Sequence, residues 1–100
     1  MTLFEWDEAK AESNLGKHGV DFEDAAKVFF DEFALCERDR FVDGEERWRA
    51  LGVWAGPTIL FVAYSLVEEG DDEVIRIISA REATTAERRR YGEDRTKNLG

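Results

Sequence analysis

The chain has 100 residues, 43% of them hydrophobic and 12% aromatic, which suffices for the core of one small domain and argues against a disordered chain. The single cysteine, Cys36, excludes an internal disulfide, and the single histidine, His18, excludes a Cys/His zinc cluster. The formal net charge is −9, unevenly spread: residues 1–75 hold 7 Lys+Arg against 19 Asp+Glu, whereas residues 76–100 hold 7 against 4, a basic island on an acidic chain.

No apolar run approaches the roughly 20 residues needed to span a bilayer. The opening Met-Thr-Leu-Phe-Glu-Trp-Asp-Glu lacks the basic and apolar stretches of a secretory signal. A cytoplasmic location away from membranes is therefore expected. In chain order, Leu3–Glu5 fits a short strand. Asp7 fits the N-cap of a helix over Glu8–Lys17, which Gly19 would end. Val20-Asp21 supplies staple and cap positions for a second helix, in which Phe22, Ala25, Ala26, Phe29 and Phe30 recur at helical spacing as a core face. The period then changes. Phe33–Glu37 suggests a strand, with Cys36 as core filler, and Asp39–Glu46 a polar loop around Asp43-Gly44. Arg47–Trp54 alternates, Ala55-Gly56-Pro57 turns the chain, and Thr58–Leu66 is nearly all apolar, as a central strand would be. An acidic turn at Glu68–Asp72 leads into Glu73–Arg81, a further strand. Thr84-Thr85-Ala86-Glu87 has capping-box spacing and opens a helix to about Tyr91. The predicted fold is α+β: two N-terminal helices, a four-stranded antiparallel sheet and a C-terminal helix, with the helices on one sheet face. The domain spans residues 1–91, and 92–100 form a polar, frayed tail.

Few residues invite chemistry. Lys10, Asn14, Lys17 and His18 share one stripe of the first helix, which reads either as a solvated face or as a site. Arg76 lies between Ile75 and Ile77 in a strand expected to be mostly buried, so its guanidinium needs either a structural carboxylate or a cleft. Arg81 ends that strand beside the cap of the last helix, a favourable place for an anion, and Arg88, Arg89 and Arg90 extend the positive field. Nothing in the sequence spells a P-loop, a Ser-His-Asp set or metal-ligand spacing, so neither metal nor cofactor is expected.

Taken together, three strings are distinctive. Phe4-Glu5-Trp6-Asp7-Glu8-Ala9-Lys10, Asn14, Lys17-His18-Gly19-Val20, Phe22 and Ala25-Ala26 resemble the opening of the BrnT family of toxins. Asp43-Gly44-Glu45-Glu46-Arg47 with Leu51-Gly52 resembles its middle, and Arg76-Ile77-Ile78-Ser79-Ala80-Arg81-Glu82-Ala83 with Glu87-Arg88 and Tyr91 its closing signature. The resemblance spans about residues 3–91. It implies a RelE-like fold and a ribonuclease that slows translation and growth. It also implies a BrnA-like antitoxin, a ribbon-helix-helix protein that would supply all contact with operator DNA.

RNA cleavage without a metal needs a base for the ribose 2′-OH, cations for the pentacovalent phosphate and an acid for the leaving oxygen. Imidazole is the one side-chain type here that ordinarily titrates near neutrality. His18 is therefore expected as acid or base, with Lys17, Arg76 and Arg81 on phosphate. Lys10, Asn14 and Arg88 are expected to hold RNA, and Tyr91 to stack on a base. Two other readings fit the same residues: a non-catalytic co-repressor acting with its antitoxin, and a plain interaction protein with a structural Arg76.

Overall fold

Local signals fix the helical half. In the computed structural model, which describes residues 1–54 and 56–99 (94–99 by backbone alone), strand β1 covers Thr2–Glu5 and helix α1 covers Glu8–His18. Asp7 caps α1 by accepting from the Lys10 N–H at 3.1 Å, and Gly19 closes it in the left-handed conformation. Asp21 caps α2, Phe22–Lys27, by accepting from the Glu23 N–H at 2.8 Å. The helix then tightens into a 3-10 turn over Val28–Phe30. That change of pitch buries Val28 and swings Phe30 out to 75% exposure, so Phe30 is not the core residue its spacing suggested.

The sheet has five strands, in the order β1-β5-β4-β3-β2, with β2 at Leu35–Val42, β3 at Glu45–Val53, β4 at Ile59–Glu69 and β5 at Asp72–Glu82. It is mixed rather than four-stranded and antiparallel, because β1 joins β5 in parallel, from Thr2↔Glu73 to Glu5↔Arg76. The expected loop at Asp39–Glu46 is a hairpin instead. Asp43 and Gly44 take φ of 50° and 81°, the twist of a two-residue turn that lets the strands pair up to Val42↔Glu45.

Strand alternation sends side chains to two cores. Ala50, Val62, Tyr64, Ile75 and Ile77 meet Phe22, Ala25, Ala26 and Val28 on one face, while Leu51 meets Ala83 and Tyr91 on the other. Helix α3, Thr85–Leu99, therefore packs on the face opposite α1 and α2, and the helices are not all on one side. Its backbone runs past the end expected near Tyr91. The frayed tail expected from Gly92 is helical backbone to Leu99, while Gly100 and the side chains of 94–99 lie outside the described residues. Cys36, expected as core filler, is exposed, because β2 is the edge strand. Among the described residues no helix is long and apolar enough to cross a membrane.

The capping box at the start of α3 forms as its spacing predicts. The Glu87 N–H donates to Thr84 Oγ1 at 3.2 Å, and the Thr84 N–H donates to Glu87 Oε1 at 2.8 Å. Arg81 adds two bonds to the same carboxylate, at 2.8 and 3.1 Å, and stacks over Phe61 at 4.1 Å. The Arg81 guanidinium, aided by the Thr84 N–H, holds the Glu87 carboxyl down to about 2. A depressed carboxyl contributes stability that is present above its unfolded value and lost as pH falls through the folded one. Acid titration should therefore remove on the order of 1–2 kcal/mol, after solvent screening, between about pH 4.5 and about pH 2. Urea midpoints measured across that range should fall less steeply for Glu87→Gln, and equal slopes would refute the linkage.

Candidate active site

Helix α1 positions the site because β5 has a free edge there. Pairing with β1 stops at Arg76, so the later backbone of β5 needs other partners. Asn14 supplies them as a carboxamide in place of a strand. Its Nδ2 donates to Ala80 O at 2.8 Å and Val20 O at 3.0 Å, and its Oδ1 accepts from the Ala80 N–H at 3.1 Å. Asn14, expected to hold RNA, instead has both amide protons bonded within the protein and only 6% exposure, and it pins α1 to β5. A β-bulge opposite Ala63 and Tyr64 inserts Ile78 as the extra residue of β5, which re-aims the strand beneath the helix.

The result is a cavity of about 180 Å³ lined by Lys10, Asn14, Lys17 and His18 against Ile78 and Ser79. The stripe read from the sequence thus converges. Lys10, Lys17 and His18 are exposed, and among the described residues none of the three side chains has an ion pair or hydrogen bond. His18 also lines a second cavity of about 370 Å³, with Asp24, Trp54, Leu60 and Glu82. The contributions of Ser79, Asp24, Trp54 and Glu82 were not read from the sequence. Only Trp54, an aromatic next to a turn, carried a local hint of exposure.

The arginines stand elsewhere. Neither Arg76 nor Arg81 lines either cavity that His18 lines. Arg76 is not buried. Its side chain is 48% exposed and paired with Glu5 at 2.8 Å and Glu45 at 3.2 Å, which raises its already high pKa. Exposed pairs of this kind contribute less than about 1 kcal/mol, so the pairing of Arg76 is a surface one and not the buried structural pair that its place between two isoleucines suggested. Arg81 is held by Glu87, and Arg90 by Glu37, which Arg49 also approaches at 3.7 Å. Arg88 is exposed, its guanidinium donates to Thr85 Oγ1 at 3.2 Å, and it lines neither cavity. Tyr91 is 4% exposed and its hydroxyl donates to Asp31 Oδ2 at 2.6 Å, so its ring offers no free face to a base. On the α3 face, Ser65 lies between Arg47 and Arg76 across the strands, and among the described residues neither Ser65 Oγ nor Arg47 Nε, both buried, has a hydrogen-bond partner.

Chemically, the α1 cavity offers two unneutralised ammonium groups and an imidazole around a space that can admit an anion. Among the described residues no three His, Cys, Asp or Glu side chains come together as a metal site. A family model described as ribonuclease toxin, BrnT, of type II toxin–antitoxin system matches residues 6–87. The chain is also similar to the 1.1 Å crystal structure of the Brucella abortus ribonuclease toxin BrnT, at 28% identity and a TM-score of 0.58. That match covers 85% of this chain and 99% of the other. No match to the chain is found among curated proteins.

Proposed function

The chain belongs to the BrnT family of ribonuclease toxins of type II toxin–antitoxin systems, and on that premise we propose that it cleaves RNA without a metal ion at the Lys10–Lys17–His18 cavity. One observation carries this reading. On a chain of net charge −9, whose arginines at 76, 81 and 90 are held by carboxylates, two lysines and the only histidine stand around one cavity, unpaired among the described residues. Phosphate attraction needs cations that carboxylates have not already neutralised.

RNA supplies its own nucleophile. A base takes the 2′-OH proton, the 2′-oxygen bonds to phosphorus, and the bond to the 5′-oxygen breaks. An acid returns a proton to that oxygen, leaving a 2′,3′-cyclic phosphate and a 5′-hydroxyl. His18 serves as acid or base, and Lys10 and Lys17 neutralise the crowded phosphate. Arg81 acts at a distance, as the brace that seats α3 against β5. Membership of a type II system implies an antitoxin partner. That partner is a BrnA-like ribbon-helix-helix protein in the same cytoplasm, which carries the pair to operator DNA. The exposed Arg88 and Arg89 of α3 suit an acidic segment of it.

The test is cleavage of free and ribosome-bound RNA in the presence of EDTA. The expected products carry 2′,3′-cyclic phosphate ends, and a 2′-deoxy substitution at the cut abolishes cleavage. Activity that stops in EDTA and returns with magnesium would overturn the metal-free chemistry. Absence of cleavage, with operator repression intact, would leave the chain a co-repressor.

A further inference from the structure

The two cavities that His18 borders differ in charge. One is lined by Lys10 and Lys17. The other, at about 370 Å³, is lined by two carboxylates, Asp24 and Glu82, beside the apolar Leu60 and the indole of Trp54. Among the described residues neither carboxylate has an ion pair or a side-chain hydrogen bond. Trp54 is 46% exposed, and Lys27 Nζ sits 4.5 Å from its ring centroid, so a cation already steadies the indole from one side. The volume lies at the small end of ligand pockets, about 300–1,000 Å³.

We propose that this second cavity reads the base next to the scissile phosphate and that it selects guanine, an inference that rests on the ribonuclease reading above. Two carboxylates repel a phosphate, so the backbone is directed to the lysine side and an uncharged base to the acidic side. Unstacked bases in single-stranded RNA are held by aromatic stacking and by hydrogen bonds to their Watson–Crick edges, and Trp54 supplies the stacking surface. Ionised carboxylates accept hydrogen bonds and donate none. Guanine is the base whose Watson–Crick edge presents two neighbouring donors, N1–H and N2–H, and both can meet one carboxylate in a bidentate pair. Cytosine and adenine offer a single amino group there, and uracil a single N3–H between two carbonyls that the carboxylates repel. His18, on the boundary, then stands beside the phosphate attached to the selected nucleotide.

The experiment uses four oligonucleotides that differ only in the base beside the cut. The wild-type chain should cleave the guanine substrate about tenfold or more faster than the uracil one, as one bidentate base contact provides. In the Asp24→Asn, Glu82→Gln double variant the guanine rate should fall toward the uracil rate. Equal rates on all four substrates, or an unchanged preference in the double variant, would overturn the proposal. Binding of guanosine and uridine, followed by the NMR shift of the Trp54 indole N–H, separates this inference from the ribonuclease reading. Guanosine-selective shifts that vanish in the double variant would uphold the pocket even if no RNA were cut. No selectivity between the two nucleosides would overturn it even if RNA were cut.

Discussion

His18→Ala is expected to lower the rate of RNA cleavage by about two orders of magnitude or more, the usual cost of losing a general acid or base. Folding should barely change. His18 is exposed, its side chain has no partner among the described residues, and α1 is closed by the Gly19 N–H donating to Leu15 O at 2.9 Å, not by the imidazole. Surface changes away from caps and networks stay within about 0.5 kcal/mol. Single-turnover cleavage by the variant, set beside its binding of an uncleavable 2′-deoxy oligonucleotide, gives the decisive comparison. A large loss of rate with binding retained assigns His18 to proton transfer. A folded variant that cleaves at the wild-type rate would move that role to Lys17 and Lys10.

The largest effect on stability is expected at Asp31, which belongs to none of the three distinctive strings. Its Oδ1 accepts from the Phe33 N–H at 2.9 Å, and its Oδ2 accepts from the Val53 N–H at 3.0 Å and the Tyr91 hydroxyl at 2.6 Å. One carboxylate thus ties the entry of β2, the end of β3 and the middle of α3 together. Hydrogen bonds to a charged acceptor are worth about 1.5–3 kcal/mol each, and buried partners left unpaired cost more than exposed ones. Asp31→Ala should cost about 3–4 kcal/mol and lower the thermal midpoint by more than about 10 °C. Gly52 explains why the brace fits. A Cβ there would stand 2.7 Å from Val28 Cγ1 and 3.2 Å from Asp31 Oδ2, so the strand must be bare where the 3-10 turn crosses it. A drop of under about 3 °C by calorimetry would show that water replaces these bonds and that the brace is not structural.

Much of this protein was legible in its sequence because the deciding interactions are local. Asp7, Asp21 and Thr84-Glu87 cap helices through contacts two or three residues long, and each cap forms as its spacing requires. The stripe of Lys10, Asn14, Lys17 and His18 follows from helical periodicity alone, whereas its convergence on one cavity needs Ile78 and Ser79 of β5 beneath the helix. Wherever a partner lies far along the chain, the sequence was silent or misleading. The parallel pairing of Leu3 with Val74 added a fifth strand, because turn chemistry predicts only neighbours joined by hairpins. Asn14 was read with the cations of its stripe, yet Ala80, which has β4 on one side and no strand on the other, claims its amide. Arg76 was read as buried between two isoleucines, but alternation turns it to the opposite face, where Glu5 and Glu45 neutralise it. Tyr91 was read as a surface aromatic, and the placement of α3 on the second face buries it against Leu51 and Asp31. The sequence by itself determined the helices, most of the strands and the cationic stripe, since their energies depend on residues within a few positions of one another. Only the tertiary structure decided which of those charges are already paired and which remain free, because ion pairing depends on distances across the sheet that no local pattern encodes.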